Sequence, residues 1–294
     1  MAARLIINAD DFGLTRGINR AIEELYQAGT LSSATLMANG PAFDDAVAIS
    51  HSNPGLGVGC HVVLTDGIPT APLDEIPTLL GPDRKSFRPD LSSFLLDLVR
   101  GKISEAEVFH ESLCQISKLQ RAGITVTHVD THKHTHIWPP VARAVVGAAY
   151  AAKVSAIRNP FEPPWSLALG NSKLVRNLQV RLMRYLQPRF LALPQIRDGL
   201  VRTTDGTIGI SATGNLNADT LRRVLDAMPD GLWELVCHPG YNDADLGRIV
   251  TRLRSHREIE YHALLSQISQ RKAQPNAPEL IHYSALAEPS ISVS

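Results

Sequence analysis

The sequence predicts an α/β protein built as an irregular (β/α) barrel of about seven units, and three observations carry that expectation. Short apolar, β-rich runs alternate with helix-like stretches along the chain, the pattern of parallel strands joined by crossover helices. No Gly-x-Gly-x-x-Gly or Gly-x-x-x-x-Gly-Lys-Ser/Thr follows a strand, which removes the usual signatures of an open nucleotide-binding sheet. Polar clusters fall where several strands give way to loops, as they do at the C-terminal face of a barrel.

The first strand is "RLIINA" (residues 4–9). Thr15 then stands as an N-cap, with Ile18, Ile22 and Leu25 at helical spacing and Gly29 as a stop. "LSSATLMA" (31–38) reads as the second strand, followed by an alanine-rich helix over 42–50, and "GLGVGCHVVLT" (55–65) as the third. The proline-rich stretch 67–89 reads as a long loop, part of an insertion near 66–103. A helix over 104–122 leads to the fourth strand, "ITVTHVD" (124–130), and Pro139 or Pro140 suits the first turn of a helix reaching 152. Strands five to seven are "VSAIRN" (154–159), "TIGISA" (207–212) and "LWELVCHP" (232–239), with helices over 218–227 and 245–270. One barrel domain over 1–287 accounts for these pieces, leaving a loose polar tail at 288–294.

Bulk properties narrow the function. The chain has 294 residues, 44% hydrophobic and 20% charged, enough for a sizeable core. Its 29 basic and 29 acidic residues balance, so nothing points to nucleic acid. Three scattered cysteines without a Cys-x-x-Cys pair argue against disulfides and thiolate zinc sites, and for a reducing compartment. No apolar run reaches the roughly 18 residues of a membrane span, and the N-terminus is too short in apolar residues for a signal peptide. The expected location is cytoplasmic.

Chemistry concentrates at strand ends. Asp10 and Asp11 close the first strand, His61 sits in the third, Asp130, His132, His134 and His136 end the fourth, and His238 ends the seventh. Adjacent aspartates at the mouth of a sheet repel each other and call for a cation, although either could simply cap the next helix. A metal on one would leave the other as a base. His128 lies within its strand and reads as a core histidine; His61 and His238, each taken singly, read more readily as structural than as ligands. Their combination at one barrel end changes that weighing.

With "NADDFG" (8–13), "GCHVVLT" (59–65), "HVDTHKHTH" (128–136) and "CHPGY" (237–241) in that order, the chain resembles the YdjC-type carbohydrate deacetylases over nearly its whole length. "SSATLMANGPAFDDAV", "HKHTHIWP" and "RNPFEPPW" look most like the hopanoid-biosynthesis branch, HpnK. The resemblance implies a barrel akin to polysaccharide deacetylases and removal of an acetyl group from an N-acetylglucosaminyl hopanoid. By position it implies Asp11, His61 and His132 as metal ligands, Asp10 as base and His238, protonated, as acid. His134, His136, Asp130 and Arg158 would contact substrate. Lys133 stands between His132 and His134, where this branch departs from the chitooligosaccharide members.

One carboxylate and two imidazoles suit zinc better than magnesium, which prefers oxygen ligands, although the family is commonly associated with magnesium. The expected partner is a glycolipid or oligosaccharide substrate. The segment 165–190 carries Leu174, Val175, Leu178, Leu182 and Leu186 at helical spacing among Lys173, Arg176, Arg181, Arg184 and Arg189. Such a basic amphipathic stretch suits either peripheral contact with the inner membrane face or an ordinary barrel helix. Two other function classes stay open. A metal-dependent phosphoesterase or amidohydrolase usually puts His-x-His at the first strand, where this chain has Asp-Asp. A non-catalytic sugar-binding protein should have lost a ligand or the base, and all are present.

Overall fold

The computed structural model describes residues 3–169 and 174–287, with the backbone alone for 174–176. Its centre is a parallel sheet formed by β1 (Arg4–Phe12), β2 (Ser33–Leu36), β3 (Gly57–Val62), β4 (Val129–Thr131), β5 (Gly206–Ile208) and β6 (Leu232–Cys237), in the order β4-β3-β2-β1-β6-β5. A two-residue strand, β7 (Glu279–Leu280), pairs with the start of β1. β1, β2, β3 and β4 are buried along almost their full length, as parallel strands covered on both faces are.

Residues 155–161 join the two edges of this sheet. Val129 N–H donates to Ala156 O (3.0 Å), Arg158 N–H to Val129 O (3.0 Å), and Ile157 N–H to Arg202 O (2.8 Å). On the other edge, Thr207 of β5 donates its N–H to Phe161 O at 3.2 Å. The sheet thereby curls into the (β/α) barrel that strand–helix alternation predicts. The fifth predicted strand, 154–159, is present only as isolated bridges at Ala156 and Ile157. Pro160, Pro163 and Pro164 follow at once and lack the N–H that a longer ladder requires. β7 was not predicted: two residues give no periodicity to read.

The helices form the outer layer. α1 (Arg16–Gln27) starts at Thr15, whose hydroxyl accepts Ile18 N–H, and buries Ile18, Ile22 and Leu25 as their spacing predicts. α2 (Phe43–Ser52) precedes β3. The insertion contains α3 (Leu91–Val99), capped by Asp90, and packs Phe94 inward. α4 (Glu105–Arg121), capped by Ser104, and α5 (Pro139–Ala151), with proline in its first turn, pack against each other. Side-chain caps of this kind contribute about 1 kcal/mol each.

The segment 165–190 is broken rather than continuous. It runs through α6 (Pro164–Leu167), α7 (Leu174–Met183), a 3₁₀ turn at Arg184–Leu186 and α8 (Gln187–Leu191), whose first turn contains Pro188; α9 (Pro194–Arg197) follows. Lys173, the side chains of Leu174, Val175 and Arg176, and the tail 288–294 lie outside the described residues. α10 (Ala218–Asp226) matches expectation. The helix predicted over 245–270 is two, α11 (Ala244–Gly247) and α12 (Ser255–Lys272). Between them the Arg254 guanidinium donates to Leu246 O (3.3 Å) and Ile249 O (3.2 Å), satisfying carbonyls that a continued helix would have bonded. Among the described residues, no helix is long and apolar enough to cross a membrane.

Candidate active site

Neighbouring residues on a regular strand face opposite ways, so Asp10 and Asp11 could not both serve one pocket. β1 solves this with a bulge. Its register against β2 slips between Ala9 and Phe12, and Asp11 takes a left-handed backbone (φ 66°). Both carboxylates thus reach the barrel mouth and both are buried. A second irregularity shapes the histidine run. β4 stops at Thr131 and a 3₁₀ turn over His132–Ile137 follows, with Lys133 (φ 58°) and His134 (φ 53°) also left-handed. The turn brings His132 back over the mouth.

Asp11, His61 and His132 converge: one ligand atom from each lies within 4.8 Å of the others. His132 Nδ1 is 3.3 Å and His61 Nε2 3.6 Å from Asp11 Oδ1, and the two nitrogens are 3.3 Å apart. Asp11 Oδ1 is buried and makes no hydrogen bond, whereas Oδ2 accepts from Arg257 at 2.5 Å. His61 Nδ1 meets Asp130 Oδ1 at 2.7 Å, which aims Nε2 at the cluster. The donor set, the orphaned oxygen and the carboxylate behind one imidazole fit a divalent cation. Charge agrees. Among the described residues, Asp10, Asp11, Asp130 and Glu234 at the barrel axis outnumber the guanidiniums of Arg158 and Arg257. A second grouping, Asp10–His61–Asp130, also lies within reach of one ion, but Arg158 already occupies both of its carboxylates.

Protonation follows from these contacts. Burial pushes the Asp10 carboxyl up, but the Arg158 guanidinium (2.7 and 3.0 Å) outweighs it and holds Asp10 far below the usual carboxylate range. Asp11 is likewise held low against burial by Arg257 and His132. Burial pulls His61 down, yet Asp130, Asp10 and Asp11 lift it to about 9, so a cation competes with that proton for the same lone pair. His238 Nε2 is 3.8 Å from Asp10 Oδ2, and burial depresses its ring to about 4. Burial thus favours the neutral imidazole there, against the pull of Asp10 and Asp11 toward the charged form.

Three residues expected to contact substrate sit behind the site instead. Arg158 is fully buried, spent on Asp10, Asp130 and Glu234. Asp130 is fully buried between His61, Arg158 and the Thr35 hydroxyl. His136 has both ring nitrogens engaged, Nδ1 with Thr131 Oγ1 (2.6 Å) and Nε2 with Arg158 O (3.2 Å). All three are fully buried, with their polar side-chain atoms turned to groups of the protein. His134 remains partly exposed, with Nδ1 unpaired. Lys133 is exposed and pairs with Asp66 on the insertion. His128 is buried and stacked on Tyr283, as a core histidine should be.

A family model described as YdjC-like protein matches residues 4–274. The chain belongs to the YdjC-like family. Carbohydrate deacetylases are similar to this YdjC-like chain: one from Thermoanaerobacter pseudethanolicus is 28% identical over 96% of this chain and 98% of its own length. Another, from Geobacillus stearothermophilus, is 32% identical over 82% of this chain and 81% of its own. Among solved structures, an Enterococcus faecalis protein described as a cellobiose-phosphate cleavage protein superposes with a TM-score of 0.76 at 24% identity, over 97% of this chain and 99% of that one. That likeness concerns the fold.

Several residues of this YdjC-like site are not announced by a motif. Glu234 ties Arg158 in place and is itself bonded by the Tyr283 hydroxyl. It was visible as the one carboxylate within "LWELVC". Arg257 and Glu260 reach the mouth from α12. Their signal was a charged continuation of the buried helical face that runs through Ala263, Leu264 and Ile268.

Proposed function

We propose that this protein is a divalent-metal-dependent hydrolase that removes the N-acetyl group from an N-acetylglucosamine-type sugar. The observation that carries the reading is the convergence of Asp11, His61 and His132 around the unpartnered Asp11 Oδ1, at the C-terminal ends of parallel strands. Relatives named carbohydrate deacetylases support the reaction class. Asp11, His61 and His132 would hold the cation; two imidazoles with one carboxylate favour zinc over magnesium. Bound there, a divalent cation supplies Lewis acidity to the acetyl carbonyl and to water.

The chain's own groups handle the proton. Arg158 aims Asp10 and keeps it ionised but weakens it as a base, so Asp10 can accept the proton only of an attacking water that the cation would acidify. His238 starts neutral, 3.8 Å from Asp10, and can take that proton and pass it from Nε2 to the sugar nitrogen as the C–N bond breaks. Amide and water become acetate and the protonated amine: one proton of the water reaches the nitrogen through Asp10 and His238, and the other, left on the new carboxyl group, is taken up by the released amine. His238 thus acts as acceptor before it acts as donor, which removes the need for a preset imidazolium. His134, partly exposed on its turn, is the residue of the histidine run that remains available to the sugar.

The finer reading is an amphiphilic substrate such as N-acetylglucosaminyl bacteriohopanetetrol. Supporting it, Leu178, Leu182 and Tyr185 are more than half exposed on α7 and the following turn, beside exposed Arg181 and Arg189. A cavity of about 270 Å³ lies next to them, lined by Ile137, Leu186, Phe190 and Leu193 together with Arg143 and Arg189. Ile137, which lines this cavity, closes the turn that carries His132 and His134.

The experiment is acetate release, followed by mass spectrometry, from that glycolipid and from diacetylchitobiose with zinc, manganese or magnesium added singly. Release from the glycolipid that stops with chelator and in His61→Ala is expected. Release from diacetylchitobiose alone would assign a chitooligosaccharide substrate. Release from neither, with hydrolysis of p-nitrophenyl phosphate, would assign a phosphoesterase. Asp10→Asn should bind the cation as before while turnover falls about 10²–10⁴-fold.

A further inference from the structure

We propose that Glu260 on α12 is a positioning residue that holds His238 and stabilises its ring while it carries a proton. The proposal rests on the reading of His238 as proton carrier given above.

His238 follows β6 directly, and its backbone N–H donates to Glu260 Oε2 at 2.6 Å. The other oxygen, Oε1, accepts Gly214 N–H at 3.3 Å, so one buried carboxylate ties together the loops that follow β5 and β6. Oε2 also lies 3.9 Å from His238 Nδ1, a buried nitrogen with no hydrogen-bond partner. On the opposite edge of the ring, Nε2 is 3.8 Å from Asp10 Oδ2. The imidazole therefore stands between two carboxylates, one facing the reaction and one facing the helix. Small rotations bring Nδ1–H onto Glu260 and leave Nε2 to exchange the proton.

The need for a carboxylate there is electrostatic. Burial disfavours an imidazolium, and a charge gained during turnover must be offset from within the protein. Around His238 stand Asp10 and Asp11 of β1, His61 of β3 and Arg257 of α12. The two aspartates are already committed to Arg158 and Arg257. Glu260, faced by His238, Arg257 and Asp10, makes no ion pair with an arginine or lysine among the described residues. Burial pushes its carboxyl up to about 7, so the ionised form is complete only above neutral pH. A carboxamide at this position would keep size and one acceptor oxygen but lose the charge. Should Glu260 serve only to tie two loops, its loss would disturb binding and cation affinity together with turnover.

Steady-state deacetylation by the cation-loaded protein, with cation affinity measured directly by calorimetry, separates the two. In Glu260→Gln we expect kcat about 10–100-fold lower, KM and cation affinity within about threefold, and loss of the acid limb near pH 7 that is expected of the wild type. Glu260→Asp, which restores the charge, should recover most of the loss and the acid limb. The double variant with His238→Ala should be no slower than His238→Ala alone, because the two residues act as a unit. Unchanged kcat in Glu260→Gln, a parallel fall of kcat, KM quality and cation affinity, or a Glu260→Asp protein as slow as Glu260→Gln would each overturn the proposal. Normal turnover in His238→Ala would overturn the underlying reading as well, and so distinguishes that failure from the others.

Discussion

Arg158 gathers more of the site than any ligand does. Its guanidinium reaches Asp10, Asp130 and Glu234 at 2.7 Å each, with no exposed surface. Buried ion groups of this kind contribute little net stability when intact, but removing one partner strands the rest. Arg158→Met should therefore destabilise the fold by about 3–5 kcal/mol, read from urea denaturation, and not merely weaken substrate binding. The residues legible in the sequence were those that a strand end announces: Asp10, Asp11, His61 and His132 each close or interrupt an apolar run. Arg158 stands in a motif that implies substrate contact, yet its guanidinium is fully buried on Asp10, Asp130 and Glu234; a motif reports position and not depth. Arg257 and Glu260 were not found, since they approach from a helix more than two hundred residues beyond Asp11 and only folding brings them near.

At the level of elements, the irregular pieces do the aiming. The β1 bulge turns two adjacent carboxylates to one side, and the left-handed pair Lys133 and His134 folds the histidine run back on itself. Neither is readable as periodicity, so from the sequence the run is only a set of polar residues at the end of the fourth strand. Strand existence was legible from apolar composition. Strand length was not, because hydrogen-bond ladders end where neighbours end, as at Val129–Thr131. The insertion is held to the barrel by α4: Glu111 accepts the N–H of Thr70 and of Ala71 at 2.9 Å each and also binds Gln115. The clasp between Lys133 and Asp66 joins the same insertion to the histidine turn. Glu111→Ala should cost about 1–3 kcal/mol by orphaning those amides, and limited proteolysis within 66–90 should accelerate.

For the molecule as a whole, fold class was the most legible feature, because alternation and strand-end polarity are properties of the entire chain. What composition could not convey is the line of charge that runs through the barrel. Tyr283 bonds Glu234, Glu234 holds Arg158, Arg158 holds Asp10, and Asp10 faces His238. Tyr283 belongs to a short turn just after β7, which itself leans on the first residues of β1. Residues 279–286 thus brace the barrel floor. Removing them, by a protease or by design, would spare every candidate ligand and still slacken the carboxylate meant to receive a proton at the opposite opening.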